Sequence, residues 1–169
     1  YQIATTTIRS LYENRRFYDS YPSCQRNYVW KASQQHLLID TILRGLPIPP
    51  IIVVESRDEL MGIRSWVVDG QQRLKTVLRY MDGEFCTAKR LPRESGVKPA
   101  DPGCFYSDLS EASRNIFDFY DFPFCKLHGV DDAQIGATYR RLQYSSPLTF
   151  AEKLYSYDVR IRSSTNHYR

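Results

Sequence analysis

The sequence predicts a mixed α/β domain, on three observations. Stretches with apolar residues at i, i+3, i+4 and i+7 alternate along the chain with short β-branched runs. The 169 residues carry no internal repeat and suffice for one domain with a real core. One strand, ending at Val68, runs directly into one helix, beginning near Gln71, across a corner of polar residues.

Thr6 or Thr7 caps a first helix to about Arg16, with Ile8, Leu11 and Tyr12 on one face. Pro22 then pushes Tyr21 out of the helical region, so "YPSCQRNYVW" is extended or irregular. Ser33 caps a second helix carrying Leu38, Ile39, Ile42 and Leu43, and Gly45 stops it. Three prolines in "LPIPP" stiffen the approach to a strand from Ile51 to Glu55, and a polar turn leads to a second strand from Arg64 to Val68. Leu74, Val77, Leu78 and Met81 line the next helix, which runs to about Asp82. Residues 87–105 hold prolines, glycines and mixed charge and are expected to be a surface loop. Ser110 starts a short helix, and "FDFYDFPFCKL" alternates as a strand from Phe117 interrupted at Pro123. Asp131 with Gln134 opens a further helix, and Thr149 with Glu152 a last one. The basic ending from Val159 is expected to be a tail or the start of a second domain.

Cys24, Cys86, Cys104 and Cys125 form no C-x-x-C pair and the three histidines are scattered, so no zinc site is expected and the cysteines are expected to be reduced. With no run of 18 apolar residues and no signal-peptide core, the expected location is the cytoplasm. The chain begins at Tyr1 rather than Met, so a short leader is expected to precede it. Residues 1–98 hold 15 Lys/Arg against 10 Asp/Glu, while residues 99–158 hold 5 against 9. The basic part fits either a polyanionic partner or an ordinary solvated surface.

The corner is Asp69-Gly70-Gln71-Gln72-Arg73. A helix that starts here leaves its first N–H groups unsatisfied, and its dipole favours an anion. Gly70 permits a sharp turn and close approach, Arg73 offers a fork for phosphate oxygens, and Gln71 and Gln72 can donate and accept. Asp69 beside an anion makes sense if it holds Mg²⁺, orients a water or bonds a ribose hydroxyl. A purely structural account also fits: Asp69 as the N-cap, Gly70 as the turn, and Arg73 paired with an acid such as Asp40.

"VVDGQQRLKTV", with the upstream "YPSCQRNYVW" and "LIDTILRGLPIPPIIV", resembles the N-terminal domain family of GmrSD-type restriction endonucleases. The family pattern is Q-R-x-Y-x-W, a G-x-P-I-P-P turn, then a strand and D-G-Q-Q-R. Here these stand in order as Gln25 to Trp30, Gly45 to Pro50 and Asp69 to Arg73. "YRRLQYSSPLTFAEKL" echoes a later element, with Gln143 in place of its Asn. The likeness spans about residues 5–158.

The resemblance implies a ParB/sulfiredoxin-like fold, a small mixed sheet flanked by helices with further helices at the C-terminal end. It implies nucleotide binding through Gln25, Arg26, Gly70, Gln71, Gln72 and Arg73, and hydrolysis by Asp69, Gln72 and Arg73, with Mg²⁺ on Asp69. The expected role is NTP-dependent regulation in restriction or phage defence against modified DNA. Arg15, Arg16, Arg26 and Lys31 are the candidate DNA contacts. A nuclease domain or subunit is an expected partner, with a homo-oligomer as a further option and no membrane. A non-hydrolysing, nucleotide-gated DNA sensor is the alternative, and a self-contained ParB-like nuclease the third reading. Tyr28 and Trp30 fit base stacking, or Tyr28, Val29 and Trp30 are core anchors beneath the next helix, which is the expectation for Trp30.

Overall fold

The computed structural model describes residues 1–21, 27–58, 62–90, 98 and 100–144. Gln25, Arg26, the Thr149–Glu152 capping box and the basic tail lie outside the described residues, as does the Gln143 side chain.

Among the described residues five strands form one mixed sheet: β1 (Gln2–Thr7), β2 (Tyr18–Ser20), β3 (Ile51–Asp58), β4 (Gly62–Asp69) and β5 (Asp121–Leu127). Their order is β1-β5-β3-β4-β2. β5 is antiparallel to β1 and parallel to β3, while β4 is antiparallel to β3 and parallel to β2. The mixed α/β class expected from the sequence is therefore the class observed.

Helices α1 (Ile8–Glu13), α2 (Ala32–Leu43), α3 (Gln71–Met81) and α4 (Glu111–Asp118) pack on one face of the sheet. Their buried side chains, among them Leu11, Leu38, Ile42, Val77, Tyr80 and Phe117, meet Ile51, Val53, Val67, Phe122 and Phe124 of the strands in the main core. α5 (Asp132–Tyr144) covers the other face, where Ile135 packs with Val68, Ile52 and Val54. Alternation along β3 produces the division: residues 51 and 53 face one layer, 52 and 54 the other.

The caps follow from side-chain chemistry. Thr7 Oγ1 accepts the Ser10 N–H at 3.2 Å, and Ser110 Oγ accepts the Ser113 N–H at 3.1 Å. Asp131 and Gln134 bond reciprocally at 2.8 and 3.0 Å, a complete capping box. α2 differs from expectation: its N-cap is Lys31 rather than Ser33, with the Gln34 side chain accepting the Lys31 N–H at 3.0 Å.

β1 and β2 are strands that local pattern did not mark, and three other expectations are corrected. Phe117 and Asp118 end α4 instead of beginning a strand, because Phe117 is fully buried against Tyr80 and Tyr106. Pro123 does not interrupt β5: it pairs with Thr5, one residue before the parallel ladder with β3 begins at Phe124. Trp66, expected in a buried strand, is half-buried and donates to Ser56 Oγ at 2.8 Å beneath the Arg64 guanidinium.

Two buried acids tie the helices together. Asp40 accepts from Arg44 Nε at 2.6 Å and from the Ala100 N–H at 2.7 Å. Asp118 accepts from Tyr106 Oη at 2.8 Å and Arg9 Nη1 at 3.3 Å, joining α4 to α1. Both have the partners that a buried carboxylate requires.

Candidate functional site

The corner is built by a bulge, a glycine and a helix start. Ile52 pairs with Asp69 while Val53 pairs with Val67, so β4 carries one extra residue, Val68, beside its end. Gly70 follows at φ 90°, ψ 12°, the left-handed region that side chains disfavour. A Cβ there would stand 2.9 Å from Arg73 Nη2, 2.9 Å from Ile51 Cγ1 and 3.3 Å from Ile51 Cα. The position thus excludes a side chain for two separate reasons. α3 then begins at Gln71, with the Leu74 N–H bonded to the Gly70 carbonyl at 3.0 Å.

Arg73 turns back over this corner. Its Nη2 donates to Asp69 Oδ2 at 3.2 Å and to the Pro50 carbonyl at 3.3 Å. The guanidinium side chain is 15% exposed and the Asp69 side chain 32%, so the pair is shielded but reachable. Arg73 Nε is buried without a hydrogen-bond partner. Burial lowers the Arg73 pKa from its usual range, against the opposing pull of the Asp69 charge. Of the structural alternatives, the Arg73–Asp40 pair is not formed: Asp40 holds Arg44, four residues along α2. Nor is Asp69 the N-cap, which is Gly70.

Gln71 and Gln72 have different surroundings. Gln71 is buried, its Nε2 reaching the Val67 carbonyl at 3.4 Å. Gln72 faces residues 27–30: its Oε1 accepts the Val29 and Trp30 N–H groups at 2.9 and 3.3 Å, and its Nε2 donates to the Asn27 carbonyl at 2.9 Å. One amide thus holds both edges of that backbone segment. Tyr28 adds an Oη to Thr76 Oγ1 bond of 2.8 Å and lies under the Arg79 guanidinium, 4.4 Å from ring centre. Trp30 packs partly against the core, as expected, whereas Val29 is 68% exposed and is no core anchor.

The three polar sequence elements therefore converge on the first turns of α3. The proline turn arrives through the Pro50 carbonyl on Arg73, and the Asn27–Trp30 stretch through Gln72. Reading the sequence missed Tyr28, Thr76 and Arg79 as a set, although Thr76 and Arg79 stand one turn and two turns beyond Gln72 on the same face.

Arg15 and Arg16 occupy a 3-10 turn after α1 and line an open groove of about 450 Å³ with Glu13 and Leu78. Each guanidinium lies over an aromatic ring, Arg15 on Tyr12 at 4.2 Å and Arg16 on Phe17 at 4.7 Å. Lys31 is exposed at the start of α2. Among the described residues no group of three His, Cys, Asp or Glu side chains gathers to hold a metal, and no helix is long and apolar enough to cross a membrane.

The family described as GmrSD restriction endonuclease, N-terminal domain, matches residues 8–165. The chain belongs to that family. The sheet flanked by helices is the architecture in which this GmrSD N-terminal domain presents its D-G-Q-Q-R corner. No curated protein matches the chain. Among solved structures it is similar to the C-terminally truncated chromosome-partitioning protein ParB from Caulobacter crescentus, complexed with CTP-gamma-S. The identity is 14% and the TM-score 0.45, with 94% of this chain and 62% of that chain covered. The GmrSD domain thus spans less than two thirds of that ParB chain.

Proposed function

We propose that this GmrSD N-terminal domain binds a nucleoside triphosphate at the Asp69–Arg73 corner and hydrolyses it, as the regulatory part of a restriction or phage-defence protein acting on modified DNA. The observation that carries the reading is Arg73. It is a shielded cation at the start of a helix, tied to an acid that it can exchange for a phosphate, with one N–H donor buried and unpaired.

Phosphate oxygens would accept from the first-turn N–H groups of α3 and from the Arg73 fork. Gly70 leaves the approach clear, since it places no Cβ beside the guanidinium. When Arg73 turns to the phosphate, its bond to Asp69 Oδ2 is given up and that carboxylate becomes free to accept a proton from an attacking water. Alternatively Asp69 would be the one protein carboxylate to hold Mg²⁺, which would neutralise charge on the phosphates, and the water would then be oriented without that carboxylate. Gln25 and Arg26 would act from the chain just before the segment that Gln72 holds, with Gln71 supporting the corner from below.

The test is phosphate release from ATP, GTP, CTP and UTP by the wild-type chain and by Asp69→Ala. Release from at least one nucleotide, lost in Asp69→Ala with binding kept, is the expected result. Failure of all four nucleotides to bind would reject the assignment.

A second reading is favoured by Gln72. Both polar atoms of its side chain are committed to residues 27–30, so it positions that segment instead of orienting a water. In that case the corner holds nucleotide and switches DNA binding without turnover. Binding of a nucleotide with no phosphate release distinguishes it.

A further inference from the structure

A cavity of about 200 Å³ opens among the strands themselves, with Thr6, Tyr18, Val53, Ser65, Phe124 and Lys126 in its lining. It is distinct from the Asp69–Arg73 corner, since Ser65 stands four residues before Asp69 on β4, roughly 13 Å of strand. Register places the lining on one face: Ala4 pairs with Phe124, Lys126 with Val53, and Ser65 with both Glu55 and Tyr18. The Tyr18 and Phe124 rings stack with centres 5.5 Å apart although β3 and β4 lie between their strands, so the sheet curls around the space.

The lining is polar on the face that elsewhere forms the core. Among the described residues neither the buried Ser65 hydroxyl nor the Tyr18 hydroxyl has a hydrogen-bond partner. Burial, then the Glu55 charge, raises the Tyr18 pKa, so that hydroxyl stays protonated and both donates and accepts. Lys126 Nζ is held by Glu55 Oε1 at 2.6 Å, and both side chains are half-buried, within reach of solvent. Each charge of this pair repels what the other attracts, so the pair disfavours a free anion or cation. What it offers is a donor beside an acceptor, and the complement is a C=O beside an N–H. A cavity of roughly 150 Å³ accepts a benzene ring, so this one has room for a six-membered ring with polar substituents.

We propose that the cavity is a second ligand site, which takes a free, uncharged six-membered cyclic amide of the size of a pyrimidine base. Its C=O accepts from Lys126 Nζ and its N–H donates to Glu55, while the Ser65 and Tyr18 hydroxyls meet its remaining polar atoms. The ring lies against the Tyr18–Phe124 pair. The site is independent of whether the corner binds nucleotide.

The experiment titrates uracil into the full isotope-labelled chain and follows the assigned amide signals by NMR. The expected result is saturable shifts at Thr6, Tyr18, Ser65 and Lys126, with Gly70 to Arg73 unmoved. Ser65→Ala should weaken binding roughly three- to tenfold, and Lys126→Met roughly ten- to hundredfold, the spectra of both confirming the fold. Benzene, an apolar ring of the same size, and inorganic phosphate should leave these signals in place. No saturable shift at the cavity up to the solubility of uracil, shifts confined to the corner, or unchanged affinity in both folded variants would overturn the proposal. So would benzene or phosphate moving the same signals as strongly as uracil.

Discussion

Gln72 Nε2 donates to the Asn27 carbonyl at 2.9 Å across forty-five residues of sequence. With the two N–H groups on its Oε1, this makes Gln72 the clamp that holds residues 27–30 on α3. Gln72→Ala should loosen the segment by about 1–3 kcal/mol. Gln72→Glu keeps the acceptor and loses only the donor, so it should fall between. Hydrogen exchange at the Val29 and Trp30 amides checks the order wild type, Glu, Ala; equal protection in all three would remove the clamp.

Gly70→Ala should destabilise the domain by about 2–4 kcal/mol, because a left-handed backbone and a 2.9 Å contact with both Ile51 and Arg73 act together. Urea denaturation measures it. A loss under half a kilocalorie would mean that the corner relaxes freely, contrary to the packing described.

His36 lies against Phe85, ring centres 6.1 Å apart, and burial lowers its pKa. Above the unfolded value of about 6.5 the imidazole is neutral in both states and has no linkage effect. As pH falls through that value the unfolded chain takes up the proton first, so stability declines until the lower folded pKa is passed. Comparing thermal midpoints at pH 7.5 and 5.5, His36→Gln should show the smaller decline.

DNA contact by the Arg15 and Arg16 groove should appear as salt dependence. Each phosphate contact removed by Arg15→Ala or Arg16→Ala lowers the slope of log K against log salt by about one. Fluorescence anisotropy of a labelled duplex over a salt series reads it, and unchanged slopes would take DNA away from this groove.

How much of this was legible follows from where each signal lies. The caps at Thr7, Ser110 and Asp131 are local, and the structure has them. β1 was not legible because "QIATTT" is an edge strand with no fully buried residue, defined only by its pairing to β5. β2 has three residues and gains its identity from β4. The special character of Asp69 to Arg73 was visible as polarity between a strand and a helix. The Arg73 partner was not, since an arginine can reach several acids and Asp69 lies one turn away as Asp40 does from Arg44. The Gln72 contact with residues 27–30 was not legible, because a clamp on a backbone forty-three residues distant leaves no mark in local pattern.

The central claim is that Arg73 receives a nucleotide phosphate. Isothermal titration of ATP, GTP, CTP and UTP into the wild type and Arg73→Ala, with circular dichroism confirming both folds, tests it most directly. The account predicts binding of at least one nucleotide by the wild type and a loss of about 1.5–3 kcal/mol, roughly ten- to hundredfold in affinity, in Arg73→Ala. Equal affinity in the two folded proteins would contradict it.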